Sequence, residues 1–267
     1  MEESTLLDSG QGRKLERFGP YVIDRPCSQA VWKQQKRKEW KEADAEFDRN
    51  ERWQGSLPKE WVVQIDGIKF RLQPTDFGHI GIFIEQRPFW RRLAEMSQGS
   101  KILNLFAYSG GSTLACAQAG AHVCHVDSSK GMVFWARENA ALNNLEKAPI
   151  RWIVEDAMKF LQREARRCSF YDGIILDPPS FGRGSKGEVF KIERDICNLL
   201  ELCKKCLSKK PRFIFFTCHT PGFTSLSLHH LLDDLKLGGS IEYGEMVVEG
   251  QKTRSIPSGA YALWRSK

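Results

Sequence analysis

From residue 101 onward the chain repeats one unit, an apolar strand followed by a helix, five times, and this alternation limits the fold more than any other feature. Lys101-Ile-Leu-Asn-Leu-Phe-Ala107 reads as a strand, closed by the glycine turn Ser109-Gly110-Gly111-Ser112 and a helix over 113–119. Strands at 121–127, 150–154, 171–177 and 212–217 follow, leading into helices at 129–143, 156–167, 189–207 and 224–236. Successive strands joined by helices need crossover connections, so they lie parallel, with helices on both faces of the sheet. Strands near 240–248 and 260–265 have no helix between them and are expected to pair as an antiparallel hairpin on one edge. The expected fold class is α/β: a doubly wound, seven-stranded, mostly parallel sheet of Rossmann-like type, with a small β-containing extension before it.

Three segments follow from this reading. Residues 1–60 form a polar, partly helical N-terminal extension, its first 20 residues flexible and Ser28 capping a helix ahead of Ala30-Val31-Trp32. Residues 61–98 hold a hairpin, Trp61–Leu72 turning at Asp66-Gly67, and a segment leading to the sheet. Residues 99–267 are the α/β domain. Four tryptophans, Trp32, Trp40, Trp53 and Trp61, are interleaved with lysines. Stacking on nucleic-acid bases is one role for them, and covering the edge of the next domain is the favoured one.

Composition narrows the function classes. With 41% hydrophobic and 27% charged residues the chain is expected to fold rather than stay disordered. No apolar run nears the roughly 20 residues that span a bilayer, and Met1-Glu2-Glu3-Ser4-Thr5 does not open a secretory signal. The expected location is cytoplasmic. In that reducing compartment the eight cysteines are mostly small buried hydrophobes. Cys203-Lys-Lys-Cys206 is a lone pair inside a helix, the six histidines form no ligand set, and no metal is expected. Lys and Arg exceed Asp and Glu by 40 to 33, a balance that suits a polyanionic partner. Residues 181–212 carry a local +5, from nine basic and four acidic residues, while residues 1–60 are neutral.

In a doubly wound sheet, ligands bind beyond the carboxyl ends of the strands near the switch point. The first strand ends at Phe106-Ala107-Tyr108-Ser109-Gly110-Gly111, where two glycines let the backbone approach a ligand. The second ends at Asp127-Ser128, an acid placed to accept hydrogen bonds from two ribose hydroxyls. The third leads into Glu155-Asp156-Ala157, where a carboxylate receives an adenine amino group. Together these describe a pocket for an adenosine-containing cofactor. The G-x-G-x-x-G fingerprint of nicotinamide-dependent enzymes is absent. The fourth strand ends at Asp177-Pro178-Pro179-Ser180-Phe181, where consecutive prolines stiffen the loop, Asp177 can hydrogen-bond a base edge and Phe181 can stack on its face. The fifth ends at Thr217-Cys218-His219, which is expected to bring Cys218 into the same cavity as a thiolate favoured by basic neighbours.

Asn104-Leu-Phe-Ala-Tyr-Ser-Gly-Gly111, Asp127, Asp156, Asp177-Pro-Pro-Ser-Phe181 and Thr217-Cys218 together resemble the class I S-adenosylmethionine-dependent methyltransferases. Within that superfamily they are similar to the large-subunit ribosomal RNA cytosine-C5 methyltransferases. Gly81-Ile-Phe-Ile-Glu-Gln-Arg87 is similar to that family's Gly-x-x-x-Asp-Gln-Arg segment, and the 61–72 hairpin to its small β-domain. The resemblance implies S-adenosylmethionine as cofactor and RNA, ribosomal in kind, as partner. It implies a cofactor site of Arg87, Phe106, Tyr108, Ser109, Gly110, Gly111, Asp127, Ser128, Asp156, Ala157 and Asp177. Pro178, Pro179, Phe181, Arg183 and Lys186 would contact substrate, with the basic stretch 181–212 on phosphates. Cys218 would add to cytosine C6 while Asp177 orients or protonates the base, making C5 nucleophilic enough to take a methyl group. The chain departs from the family at Glu85, for its Asp, and at Thr217-Cys218-His219, for its Ser-Cys-Ser. Asp-Pro-Pro-x-Phe also occurs in related enzymes that methylate guanine N7 without a cysteine, so guanine, or a substrate other than RNA, is the alternative acceptor. A catalytically silent RNA-binding protein is the other.

Overall fold

Within residues 1–60, read above as a polar and partly helical extension, the described residues between Ser4 and Gly55 form a five-stranded sheet instead. The structure, a computed structural model, describes residues 4–48, 50–184 and 187–267. They divide into two units, those up to Glu85 with Val247–Ser258 and those of Gln86–Met246 with Gly259–Lys267. In the first unit β1 (Ser4–Gly10), β2 (Arg13–Phe18) and β3 (Tyr21–Pro26) pair as an antiparallel meander. A four-residue helix α1 (Arg37–Trp40) precedes β4 (Ala45–Phe47) and β5 (Trp53–Gly55), which complete the sheet. The hairpin β6 (Trp61–Ile65) and β7 (Ile68–Leu72) turns at Asp66-Gly67 as expected.

Charged residues conceal these strands from a hydropathy reading. Glu16 is buried on β2, where Arg25 of β3 donates to it at 2.5 and 3.0 Å and Lys14 pairs with it at 3.2 Å. Burial alone would raise the Glu16 carboxyl, but the two cations hold it below its ordinary value. Asp8 is buried too, and accepts from the amides of Gln35 and Lys36, the Trp40 indole and the Thr253 hydroxyl. The indole N–H groups of Trp32, Trp53 and Trp61 are likewise committed, to Ser9, Thr75 and Phe18 of the same unit. These four tryptophans hold their own unit together through polar contacts that base stacking would not require.

The second unit carries the expected sheet. A 3-10 turn (Ile84–Gln86) leads into helix α2 (Arg87–Ser97), then β8 (Lys101–Leu105), α3 (Gly111–Gln118), β9 (His122–Asp127), α4 (Lys130–Leu142), β10 (Ile150–Val154) and α5 (Ala157–Arg166). After β11 (Gly173–Leu176) comes a small hairpin, β12 (Phe181–Arg183) and β13 (Val189–Lys191), where the sequence reading had only a loop and the start of a helix. Helix α6 (Ile192–Lys205), β14 (Phe213–Cys218), α7 (Ser225–Asp233), β15 (Ser240–Val248) and β16 (Ile256–Arg265) complete the chain order. The strands lie in the order β10-β9-β8-β11-β14-β16-β15, parallel from β10 to β14, with β16 antiparallel to β14. The switch point falls between β8 and β11.

Strand periodicity sorts the core into two layers. Leu103, Leu105, Ile174, Leu176, Ile214 and Phe216 pack on α5, α6 and α7 through Phe160, Leu199 and Leu228. Ile102, Val123, Ile175, Phe213 and Phe215 pack on the other face, against Phe89 and Leu93 of α2 and Cys116 of α3. The helices start where polar caps stop them: Ser129, Asp156 and Thr224 accept from the third amide of α4, α5 and α7. No described helix is long and apolar enough to cross a membrane.

Candidate active site

The carboxyl ends of β8, β9 and β10 build one cleft. Its lining is Phe106, Val126, Asp127, Ser128, Glu155, Asp156, Ala157, Pro179, Gly182, Arg183, Gly184 and Phe190, around a space of about 340 Å3 that opens to solvent. Asp127 is fixed before any ligand arrives: Oδ2 accepts from the Tyr108 amide and Oδ1 from the Ser129 amide, each at 2.9 Å. Burial raises its carboxyl above the ordinary value, against those two hydrogen bonds. Asp156 spends Oδ1 on capping α5, through the Lys159 amide at 2.9 Å. The rings of Phe106 and Phe190 meet at 5.5 Å, and Phe106 takes a left-handed φ of 55° to present its side chain there.

The glycine turn serves packing. Gly110 has φ 96°, and a Cβ on it would meet Ala136 of α4 at 3.2 Å. A Cβ on Gly111 would meet the Trp90 ring of α2 at 3.0 Å. Close approach of neighbouring helices constrains both glycines. Ser109 is buried, its carbonyl accepting from the Asn139 amide group at 3.0 Å. Arg87 stands half-buried at the start of α2.

The end of β11 forms a second, adjoining cluster. Asp177 Oδ2 accepts from Gln86 Nε2 at 3.2 Å, and Oδ1 lies 3.2 Å from His219 Nδ1. Gln86 Nε2 also reaches Thr217 Oγ1 at 3.1 Å, so one amide group joins the ends of β11 and β14. Pro178 is buried, Pro179 exposed, and Phe181 is exposed with the Arg183 guanidinium 5.7 Å over its ring. Arg183 lines the cleft as well, because the β12–β13 hairpin folds over it and Lys159 of α5 pairs with Glu188 in the turn. Lys186 lies outside the described residues.

Cys218 differs from expectation. Side chains alternate along β14, so Thr217 faces Gln86 while Cys218 joins Ile214 and Phe216 in the α6–α7 layer, with 0% exposure. Burial pushes its thiol up, although the Thr220 hydrogen bonds act the other way. A buried, protonated thiol is not the thiolate the sequence reading described. The basic stretch is also not one surface patch: Lys204 and Lys205 end a 14-residue helix, about 20 Å from the hairpin at its start. Arg194 is paired with Asp195. Cys203 and Cys206 sit in the core, burial raising both thiols, Cys206 to about 11.

Gln86 has no role of its own in the sequence reading, and His219 has only that of favouring a Cys218 thiolate. The only signals were their places in Glu85-Gln86-Arg87 and Thr217-Cys218-His219, since their partner Asp177 is remote in sequence from Gln86 and reached only through strand order.

A family model of S-adenosylmethionine-dependent methyltransferases matches residues 13–208. The chain belongs to this family. A solved SAM-dependent methyltransferase from Agrobacterium tumefaciens resembles it with a TM-score of 0.96 and 38% identity, covering 100% of this chain and 91% of its own. The curated Ribosomal RNA large subunit methyltransferase K/L of Cellvibrio japonicus is 30% identical over 214 residues, 77% of this chain and 27% of that protein. The protein of the same name from Shewanella oneidensis is 36% identical over 159 residues, 58% of this chain and 22% of its own. The methyltransferase therefore spans about a quarter of the length of the curated relatives it matches. Its cofactor, S-adenosylmethionine, supplies a methyl group on a positively charged sulfur. The cleft has the chemistry to receive it: two carboxylates with lone pairs left over for hydroxyl and amine donors, and aromatic faces beside them.

Proposed function

We propose that this methyltransferase modifies a base in RNA, ribosomal RNA being the class that the relatives' names support. In this reading Asp127 and Ser128 take the cofactor's ribose, Asp156 and Ala157 its adenine, and Phe106 with Phe190 flanks the ring. Arg87, Tyr108, Ser109, Gly110 and Gly111 frame the turn beside it. The observation that carries the proposal is the clamped carboxylate. Asp177 is held by Gln86 and His219, and the rigid Pro178-Pro179 step runs from it straight to the cofactor cleft, which Pro179 lines. A polar group pinned this way can fix the edge of a planar base, with Phe181 and Arg183 exposed alongside for its face and phosphate.

Formation of 5-methylcytosine through a cysteine adduct is the finer form of this proposal, and it needs the Cys218 sulfur in front of the base. The burial of Cys218 favours direct transfer to the acceptor atom instead. The test is methyl transfer from labelled S-adenosylmethionine to RNA from cells lacking the protein, with the RNA digested and the labelled nucleoside identified by mass. Label in RNA that persists with Cys218→Ala is expected. Label only in 5-methylcytosine, abolished by that substitution, would restore the adduct, and no label in any RNA would sink the proposal.

A further inference from the structure

We propose that the cofactor and the RNA share the β12–β13 hairpin, the cofactor beneath it and the RNA strand on its outer face, so that each ligand tightens the other. The inference rests on the RNA reading above and adds the coupling between the two ligands. Exposure alternates along both strands of the hairpin. Phe181, Arg183, Val189 and Lys191 are exposed, while Gly182 and the buried Phe190 line the cofactor cleft. Arg183 stands at the rim, exposed and lining the cleft as well. The register sets Phe181 opposite Lys191 and Arg183 opposite Val189. The outer face is therefore a two-by-two array, with the cations on one diagonal and the apolar side chains on the other. None of its four side chains is acidic. Cations for phosphate beside an aromatic face for a base are what an unpaired RNA strand offers contacts to. The array also continues the Asp177-Pro178-Pro179 step, with Ser180 alone between Pro179 and Phe181. A strand whose base reaches Asp177 thus passes over this face.

The coupling follows from how the hairpin is held. It is a two-stranded sheet of its own, apart from the seven-stranded one, and a hairpin of that kind is marginal by itself. Its base is fixed: Ser180 Oγ lies 2.8 Å from Thr220 Oγ1, and the Ser180 carbonyl accepts from the Ile192 amide at 3.1 Å. Nearer the tip, Phe190 packs inward beside Phe106, and Glu188 pairs with Lys159 of α5. A cofactor in the cleft adds contacts under Gly182, Arg183 and Phe190 and holds the hairpin down. An RNA strand seated at Asp177 meets the outer face only while the hairpin is down. Both ligands favour the same state, so each raises the other's affinity, and by the same factor. The order of events is set as well. The methyl donor enters before the RNA, and the spent cofactor leaves after it.

The experiment uses S-adenosylhomocysteine, which has no methyl group to transfer. It is titrated calorimetrically into the enzyme alone and into enzyme saturated with ribosomal RNA from cells lacking the protein. RNA binding is measured in turn by filter retention, with and without saturating S-adenosylhomocysteine. Both affinities are expected to rise by one common factor of about 5- to 150-fold. Lys191→Gln removes one cation of the array at the N-cap of α6, where the lysine side chain makes no capping hydrogen bond. Its RNA affinity is expected to fall, the slope of that affinity with salt to drop by about one, and the coupling factor to shrink. Thermal unfolding of the variant separates this from misfolding. S-adenosylhomocysteine that binds free and RNA-saturated enzyme equally, or the RNA-saturated enzyme more weakly, overturns the coupling. RNA affinity and salt slope left unchanged by Lys191→Gln overturn the outer face as the seat of the strand. Wild type that neither retains RNA nor labels it overturns the RNA reading and this inference with it.

Discussion

Asp127 shows how much one side chain can be asked to do at the end of a strand. Its two oxygens each accept a main-chain amide, so the carboxylate is oriented before ligand binding. Asp127→Asn keeps the shape but turns an N–H toward the amide of Tyr108 or Ser129. A buried donor left facing a donor costs about 1–3 kcal/mol, so cofactor affinity is expected to weaken by roughly ten- to a hundredfold, measured by calorimetric titration. Unchanged affinity would remove Asp127 from the cofactor site. At this scale the acids were legible, because a strand-end carboxylate is recognisable from its own segment. Gln86 and His219 were not, because what gives them meaning is a partner on another strand.

Among the elements, the parallel strands announce themselves as apolar runs and the β12–β13 hairpin does not. Its strands have three residues each and are surrounded by glycines, too short for alternation to register. Yet the hairpin covers the cleft, anchored by buried Phe190 and by the Lys159–Glu188 pair. Phe190→Ala removes a side chain whose loss typically costs about 3–5 kcal/mol. A hairpin this small can open without unfolding the sheet, so the loss should be read locally. The expected outcome is at least tenfold weaker cofactor binding with only a small fall in Tm. A large fall in Tm with affinity intact would show the hairpin to be part of the folding core instead.

For the whole molecule, the two units store stability in different forms, and single buried groups within them respond to acid with opposite sign. In the first unit, Glu16→Leu strands Arg25 in the interior, and breaking a buried pair this way costs about 3–5 kcal/mol in chemical denaturation. The pair with Arg25→Met should recover much of that. The same buried charges are why this sheet was not legible: Glu16, Asp24 and Arg25 occupy strand positions that the apolar pattern reserves for hydrophobes. Burial raises Asp24 to about 6, so as pH falls from there toward the ordinary value near 3.8 the folded state gains protons first and this group adds stability. His125 in the second unit is driven the other way, to about 3, by burial beside Thr113. The unfolded chain takes up that proton from about pH 6.5 downward, and the folded chain does not. Stability is lost progressively below that point, by up to about 1.4 kcal/mol per pH unit. Denaturation at pH 7 and pH 5 should show this loss in wild type and a shallower one in His125→Gln; an identical slope would acquit the histidine.

The order of manufacture has a consequence here. Leu6 packs with Val248 and Ile256, and Asp8 accepts from Thr253, so β1 waits for a partner that is synthesised 245 residues later. In the larger sheet, β16 is the last of seven strands in sequence, yet it sits inside, between β14 and β15. Neither unit can close while the chain is still growing through residues 240–265. Until then its apolar strands stand open, and that exposure sets aggregation in competition with folding.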